Sequence, residues 1–199
     1  MVKLKRFWIF VPLFLFGTAG TYLFFLFLKA GNEGAFQNSL LPELIGFCLE
    51  GFFLVGLFSL IQRRQRREDK QELRQSLRGA LREILSHIDL ALLEENMEPA
   101  STQSLDQDTS LVRTLFVKMY GGQLDLNSML SIKKAAERNV STMHDLIPVA
   151  AQLSANHMRW WLAIVECVRK LSEATDKSSV SFTIQQFLKN LGEFDQLPL

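Results

Sequence analysis

The residues of this 199-residue chain whose chemistry could be put to use are three histidines, two cysteines and one carboxylate set in an apolar run. His87, His144 and His157 could ligate a metal or carry protons. None stands at i, i+4 from a second His or Cys, and no H-E-x-x-H is present. Zinc sites announce themselves by such spacings, so the three read as surface or satisfied-core histidines and no metal centre is expected. Cys48 lies in an apolar run and Cys167 among helix-forming residues beside Glu166, with only Arg169 and Lys170 as nearby cations. That setting gives weak grounds for an activated thiolate. The glycine-rich phosphate loops and the nucleophile-elbow pattern are missing, and Gly121-Gly122 reads as a helix stop. No catalytic residue, enzyme activity or cofactor is expected.

Glu50 is the sharpest single residue, because it stands alone in Leu44 to Ile61, LIGFCLEGFFLVGLFSLI. At the centre of a bilayer an ionised carboxylate costs at least ~2.5–3.5 kcal/mol, so such a residue is protonated, paired or faces water. Thr18, Thr21 and Tyr22 would lie at matching depth on an antiparallel first span, and each can donate a hydrogen bond. Two readings follow. Glu50 could line a pore or an oligomer interface, or it could be neutral glue hydrogen-bonded to those hydroxyls; the glue reading is the plainer one. Gly17, Gly20 and Thr21 share one helical face and form a small-residue seam that admits close helix approach. Gly46, Gly51 and Gly56 recur every five residues, so they spiral and define no single face.

The elements that must carry these residues follow from segregation along the chain. Composition averages 48% hydrophobic and 22% charged at net charge +1, yet residues 1–61 hold 12 of the 16 Phe and only 7 of the 43 charges. A uniformly soluble domain, a multi-span transporter and a nucleic-acid binder driven by bulk charge are all disfavoured. Phe7 to Leu28 is 22 residues without a charge, roughly 33 Å of helix against a hydrocarbon core of roughly 30 Å. Lys3, Lys5 and Arg6 before it would suit a signal peptide, but Leu23 to Leu28 resumes as pure hydrocarbon after Gly17-Thr18-Ala19-Gly20. An uncleaved anchor is therefore expected. With 7–28 and 44–61 as spans, residues 1–61 form a transmembrane hairpin. Lys3, Lys5 and Arg6 flank it on one side and Arg63, Arg64, Arg66 and Arg67 on the other, while the loop between the spans carries one Lys and two Glu. The positive-inside rule puts both termini in the cytoplasm, with those basic residues at the lipid headgroups; in a bacterial cell the membrane would be the inner one.

Beyond Ile61 the pattern is helical throughout. Residues 62–97 read as a juxtamembrane helix continuing the second span, with a break possible near Asp69. Seven Lys or Arg against three acids between Arg63 and Arg78 read as a topology lock and headgroup contact. Residues 98–108, EPASTQSLDQD, read as a linker. Residues 109–199 read as a cytoplasmic helical bundle: one helix capped by Thr109 or Ser110, and one capped by Asp125 or Asn127. After a boundary at 139–145 comes a long helix capped by Asp145, with Val149, Leu153, Trp160, Ile164, Val168 and Leu171 as its core face, and after a break at 176–179 a last helix over 180–194. Ser179 to Thr183 alternates too briefly to found a sheet. Arg159-Trp160-Trp161 offers an aromatic partner face, although half-buried core aromatics are the plainer reading. The fold class is all-α: a two-helix transmembrane hairpin followed by a cytoplasmic bundle.

In layout the chain resembles the two-span membrane effectors of bacterial anti-phage systems, such as those encoded with retron reverse transcriptases. The likeness rests on the basic N-terminus, the Phe-rich hairpin with Glu50 and the helical tail. It implies growth arrest of the infected cell through membrane damage. It also implies a soluble restraining partner, such as a reverse transcriptase ribonucleoprotein; a homo-oligomer in the lipid bilayer is expected besides. No direct nucleic-acid binding is expected. The alternative is a non-catalytic anchor or adaptor whose helical domain, through Trp160 and Trp161, recruits a soluble partner.

Overall fold

A computed structural model describes residues 2–29, 41–93, 97–121 and 124–199. Among them the chain is helical, with eight helices and no strand: α1 Val2–Lys29, α2 Leu41–Ala91, α3 Thr102–Gln107, α4 Thr109–Gly121, α5 Leu126–Asp145, α6 Ile147–Leu153, α7 Ala155–Glu173 and α8 Lys177–Gln196. The chain divides into two compact units, Met1–Arg67 and Glu68–Leu199, and α2 carries residues of both. The loop expected between the spans falls at 30–40, and Asn96 and Gly122 also lie outside the described residues.

In the first unit α1 and the start of α2 pack antiparallel. A Cβ built on Gly20 would stand 3.3 Å from the Cys48 Cβ, one on Gly17 would be 3.5 Å from the Phe52 ring, and one on Gly51 would be 2.7 Å from Phe16. Only glycine admits that last approach without moving the ring. Both helices are long and apolar enough to cross a membrane, and their most apolar windows are 0% and 6% buried. A core helix of a soluble domain would bury that surface. Instead Phe14, Phe53, Leu54, Phe58 and Leu60 all stand open.

The second unit has one core, to which α2 contributes Leu77, Leu81, Ile84 and Ile88. These repeat at three and four residues and form the apolar stripe the sequence predicts. Helices α7 and α8 pack on each other, α5 and α6 on α7, and α4 on α8.

Several boundaries differ from expectation, each for a local reason. Helix α2 continues past Asp69 and ends at Ala91. The stretch read as a linker contains α3, started by the Ser101 hydroxyl accepting from the Ser104 N–H at 3.1 Å. Asp108, not Thr109 or Ser110, opens α4, its carboxylate accepting from the Ser110 N–H at 2.8 Å and the Ser110 hydroxyl at 2.7 Å. Those two bonds hold the Asp108 carboxyl below the usual range. Asp125 caps α5, which runs through the boundary expected at 139–145. The single long helix after Asp145 is two: Leu146 precedes α6 without a side-chain cap, and Ser154, in extended backbone, separates α6 from α7. Asp176 caps α8, which starts three residues before Val180 and includes the alternating Ser179 to Thr183.

Candidate functional site

The residues predicted to surround Glu50 do not meet it. The Thr18 hydroxyl donates to the Phe14 carbonyl at 2.8 Å and the Thr21 hydroxyl to the Gly17 carbonyl at 2.7 Å, both in their own helix. Tyr22 is exposed. Glu50 is exposed and has no hydrogen-bond partner among the described residues. The geometry explains this. Pairs in contact between the two helices are Gly17 with Phe52, Gly20 with Cys48 and Phe16 with Gly51, so Glu50 does stand level with Thr18. At about 100° per residue, however, Glu50 points about 160° away from Cys48, to the back of α2. The face toward α1 is occupied by Phe47, Cys48, Gly51, Phe52 and Gly56. The level of Glu50 along the helix pair was legible in the sequence; its azimuth was not.

Gly17 and Gly20 do form the close seam, and Gly51 and Gly56 of α2 join it, whereas Gly46 meets nothing within 4 Å. An open groove of about 830 Å³ runs along the flank of α1 beside the seam, lined by Leu13, Phe14, Gly17, Thr18, Thr21, Tyr22 and Phe25 with Phe52 of α2. The side chains of Lys3, Lys5 and Arg6 lie outside the described residues, and Arg63, Arg64, Arg66 and Arg67 are exposed.

A second polar constellation, in the unit Glu68–Leu199, was missed by the sequence reading. Lys70, Arg74 and Arg78 fall at i, i+4, i+8 on α2, next to the apolar stripe of Leu73, Leu77 and Leu81. The Lys70 Nζ donates to the Leu153 carbonyl at 3.1 Å, and Arg74 donates to the Asp195 carbonyl. Arg78 is 2% exposed and pairs with the Asp195 carboxylate; it also donates to the carbonyls of Leu105 at 3.0 Å and Asp108 at 3.1 Å. One guanidinium thus joins α2 to the end of α3, the start of α4 and the end of α8. Burial pushes the Asp195 carboxyl up, and the Arg78 and Arg74 guanidiniums pull against it. Part of the basic run expected at the headgroups therefore docks the bundle instead. The spacing beside an apolar stripe was the available signal; the partner, Asp195, is 117 positions from Arg78 and gave none.

His157, 1% exposed, lies beneath this cluster with its ring edge-on to Phe194 at 5.3 Å and its Nδ1 hydrogen-bonded to the Ser154 hydroxyl at 2.7 Å. Burial pushes its imidazole below the usual value, helped by the charges of Arg74 and Lys70; Asp195 is the counter-charge on α8. The fold keeps the neutral ring, so its contribution to stability is present above the unfolded value of about 6.5 and is lost as pH falls through the lower folded value. The thermal midpoint of the full chain is expected to drop between pH 7 and pH 5, and His157→Gln to flatten that drop. Equal slopes in parent and variant would remove His157 from the account.

The remaining predicted residues separate. Trp161 is fully buried and donates its indole N–H to the Met143 carbonyl at 3.0 Å, so it is no partner face. Trp160 is half-buried, with the Arg159 guanidinium 5.5 Å above its ring. Burial pushes the Cys167 thiol up and outweighs the Asn190 amide, which donates to its Sγ at 3.3 Å and pulls the other way, so the thiol is not activated toward thiolate. His87 is half-buried and His144 exposed, and no cluster of three metal-ligating side chains occurs among the described residues. No protein-family model, curated protein or solved structure matches the chain.

Proposed function

We propose that this chain is a membrane-embedded effector, of the kind that serves bacterial anti-phage defence. In this reading α1 and the first part of α2 cross the inner membrane with both termini in the cytoplasm. When a restraining partner lets go, the hairpins perturb the bilayer and arrest growth. The observation that carries the reading is Glu50: a carboxyl with no partner among the described residues, on the outer face of an otherwise apolar, unburied helix pair. A purely anchoring hairpin has no use for so costly a residue. The second unit, with its own core and its buried ion pair, suits a domain that receives a restraining partner.

Induction of the chain alone, and together with neighbouring genes, while membrane potential is recorded tests this. Depolarisation on induction alone and its suppression by one neighbour are expected. An unchanged potential in every case would overturn the effector reading. Glu50→Gln is expected to abolish depolarisation where an ionised carboxylate lines the path; full activity of the variant assigns Glu50 to packing. The adaptor reading draws support from α4, whose Val117 and Tyr120 are 64% and 71% exposed. Their truncation would then weaken capture of a soluble partner without touching the potential.

A further inference from the structure

Two features on the outside of the first unit lack a partner among the described residues. One is the Glu50 carboxyl on the back of α2. The other is the groove of about 830 Å³ on α1, whose wall carries Thr18, Thr21 and Tyr22. The Tyr22 hydroxyl makes no hydrogen bond among the described residues. We propose that a second copy of this chain fills that groove: the Glu50 face of α2 in one hairpin seats on the Thr18, Thr21, Tyr22 face of α1 in the next, head to tail.

The inference rests on the bilayer reading above, because only in lipid must Glu50 find a protein partner. A second copy brings one at the right level. Contacts within the hairpin set Glu50 level with Thr18, and a neighbour related by rotation about the bilayer normal keeps that level. Side chains on a helix lean toward its own N-terminus. On antiparallel helices Glu50 and Tyr22 therefore lean toward each other, although their backbones are about one turn apart. The Tyr22 hydroxyl can donate to the ionised carboxylate. The Thr18 and Thr21 hydroxyls already donate to their own helix, so they offer only lone pairs, which a protonated Glu50 can use. A lipid chain in the groove offers neither. The carboxyl lies on α2 and the Thr18, Thr21, Tyr22 face on α1, so one contact leaves one of each open. Such a heterologous interface adds copies until the ring closes.

Cross-linking tests this in the full chain with Cys48→Ala and Cys167→Ala as background. Leu54, one turn from Glu50, and Phe14, one turn from Thr18, are 54% and 74% exposed. One tagged copy carries Leu54→Cys and a differently tagged copy carries Phe14→Cys. A cross-link between the two tags is expected, and Glu50→Leu in the Leu54→Cys copy should lower its yield about threefold, at most about twentyfold. Phe53→Cys with Leu15→Cys at the same level gives the same readout if either first variant fails to accumulate. Cross-links only between two Leu54→Cys copies, or none, in protein that stays in the membrane after alkaline carbonate, overturn the head-to-tail interface and leave the bilayer reading intact. Release by carbonate overturns the bilayer reading and this inference with it.

Discussion

Arg78→Ala is expected to destabilise the Glu68–Leu199 unit by about 3–5 kcal/mol, the cost of breaking a buried ion pair from one side. Several losses act together. The Asp195 carboxylate keeps only Arg74, 3.6 Å from its Oδ1, in a site where its side chain is 3% exposed. The carbonyls of Leu105 and Asp108 lose their guanidinium donor. A cavity also opens among α2, α3 and α8. Domains of this size are stable by only about 5–15 kcal/mol, so the thermal midpoint should fall by roughly 10–20 °C. Hydrogen exchange in α7 and α8 of the full chain reads the effect where it occurs. Arg78→Met combined with Asp195→Leu removes both charges and should recover most of the loss, since the penalty lies in the unpaired carboxylate. A double variant no better than Arg78→Ala would show that the carbonyl bonds, not the ion pair, set the cost.

Trp161→Ala should cost a similar amount, about 3–5 kcal/mol, because a fully buried indole is lost from the core. The ring is 0% exposed, lies 5.9 Å from Phe194 and donates to the Met143 carbonyl at 3.0 Å. Trp161→Phe keeps most of the volume and forfeits the hydrogen bond, so it should cost clearly less. Trp160→Ala next door, at a half-buried position stacked with Arg159, should cost least of the three. Equal losses at 160 and 161 would contradict the packing. Arg78 and Trp161 are linked through Asp195 and Phe194, adjacent on α8. Their effects should therefore fail to add.

The two tryptophans illustrate what a sequence conceals. Helical periodicity puts Trp160 on the core face of the long helix, yet Trp161 is the ring that turns fully inward, because that depends on where Phe194 and Met143 arrive. The apolar stripe of α2 was legible, and so was the level of Glu50 along the helix pair, since both follow from spacing within one or two elements. The face of α2 that packs on α1 was not, because the contact combines Cys48 and Phe52 with two of three spiralling glycines. The break at Ser154 leaves little trace in the sequence, because apolar residues repeat smoothly through α6 and α7 and a lone serine cap carries little weight against that run. Segment charge groups Arg74 and Arg78 with their exposed neighbours as headgroup contacts. Charge counting averages over a segment, and pairing with Asp195 is a long-range event.

Topology labelling bears most directly on the central claim, that residues 1–61 cross a bilayer twice. With Cys48 and Cys167 replaced by alanine, single cysteines at Asn38, Gln65 and Gln196 are offered a membrane-impermeant maleimide on intact cells and again after lysis. The account predicts labelling at position 38 in intact cells, and at 65 and 196 only after lysis. Labelling of all three only after lysis, in protein that alkaline carbonate releases, would contradict it.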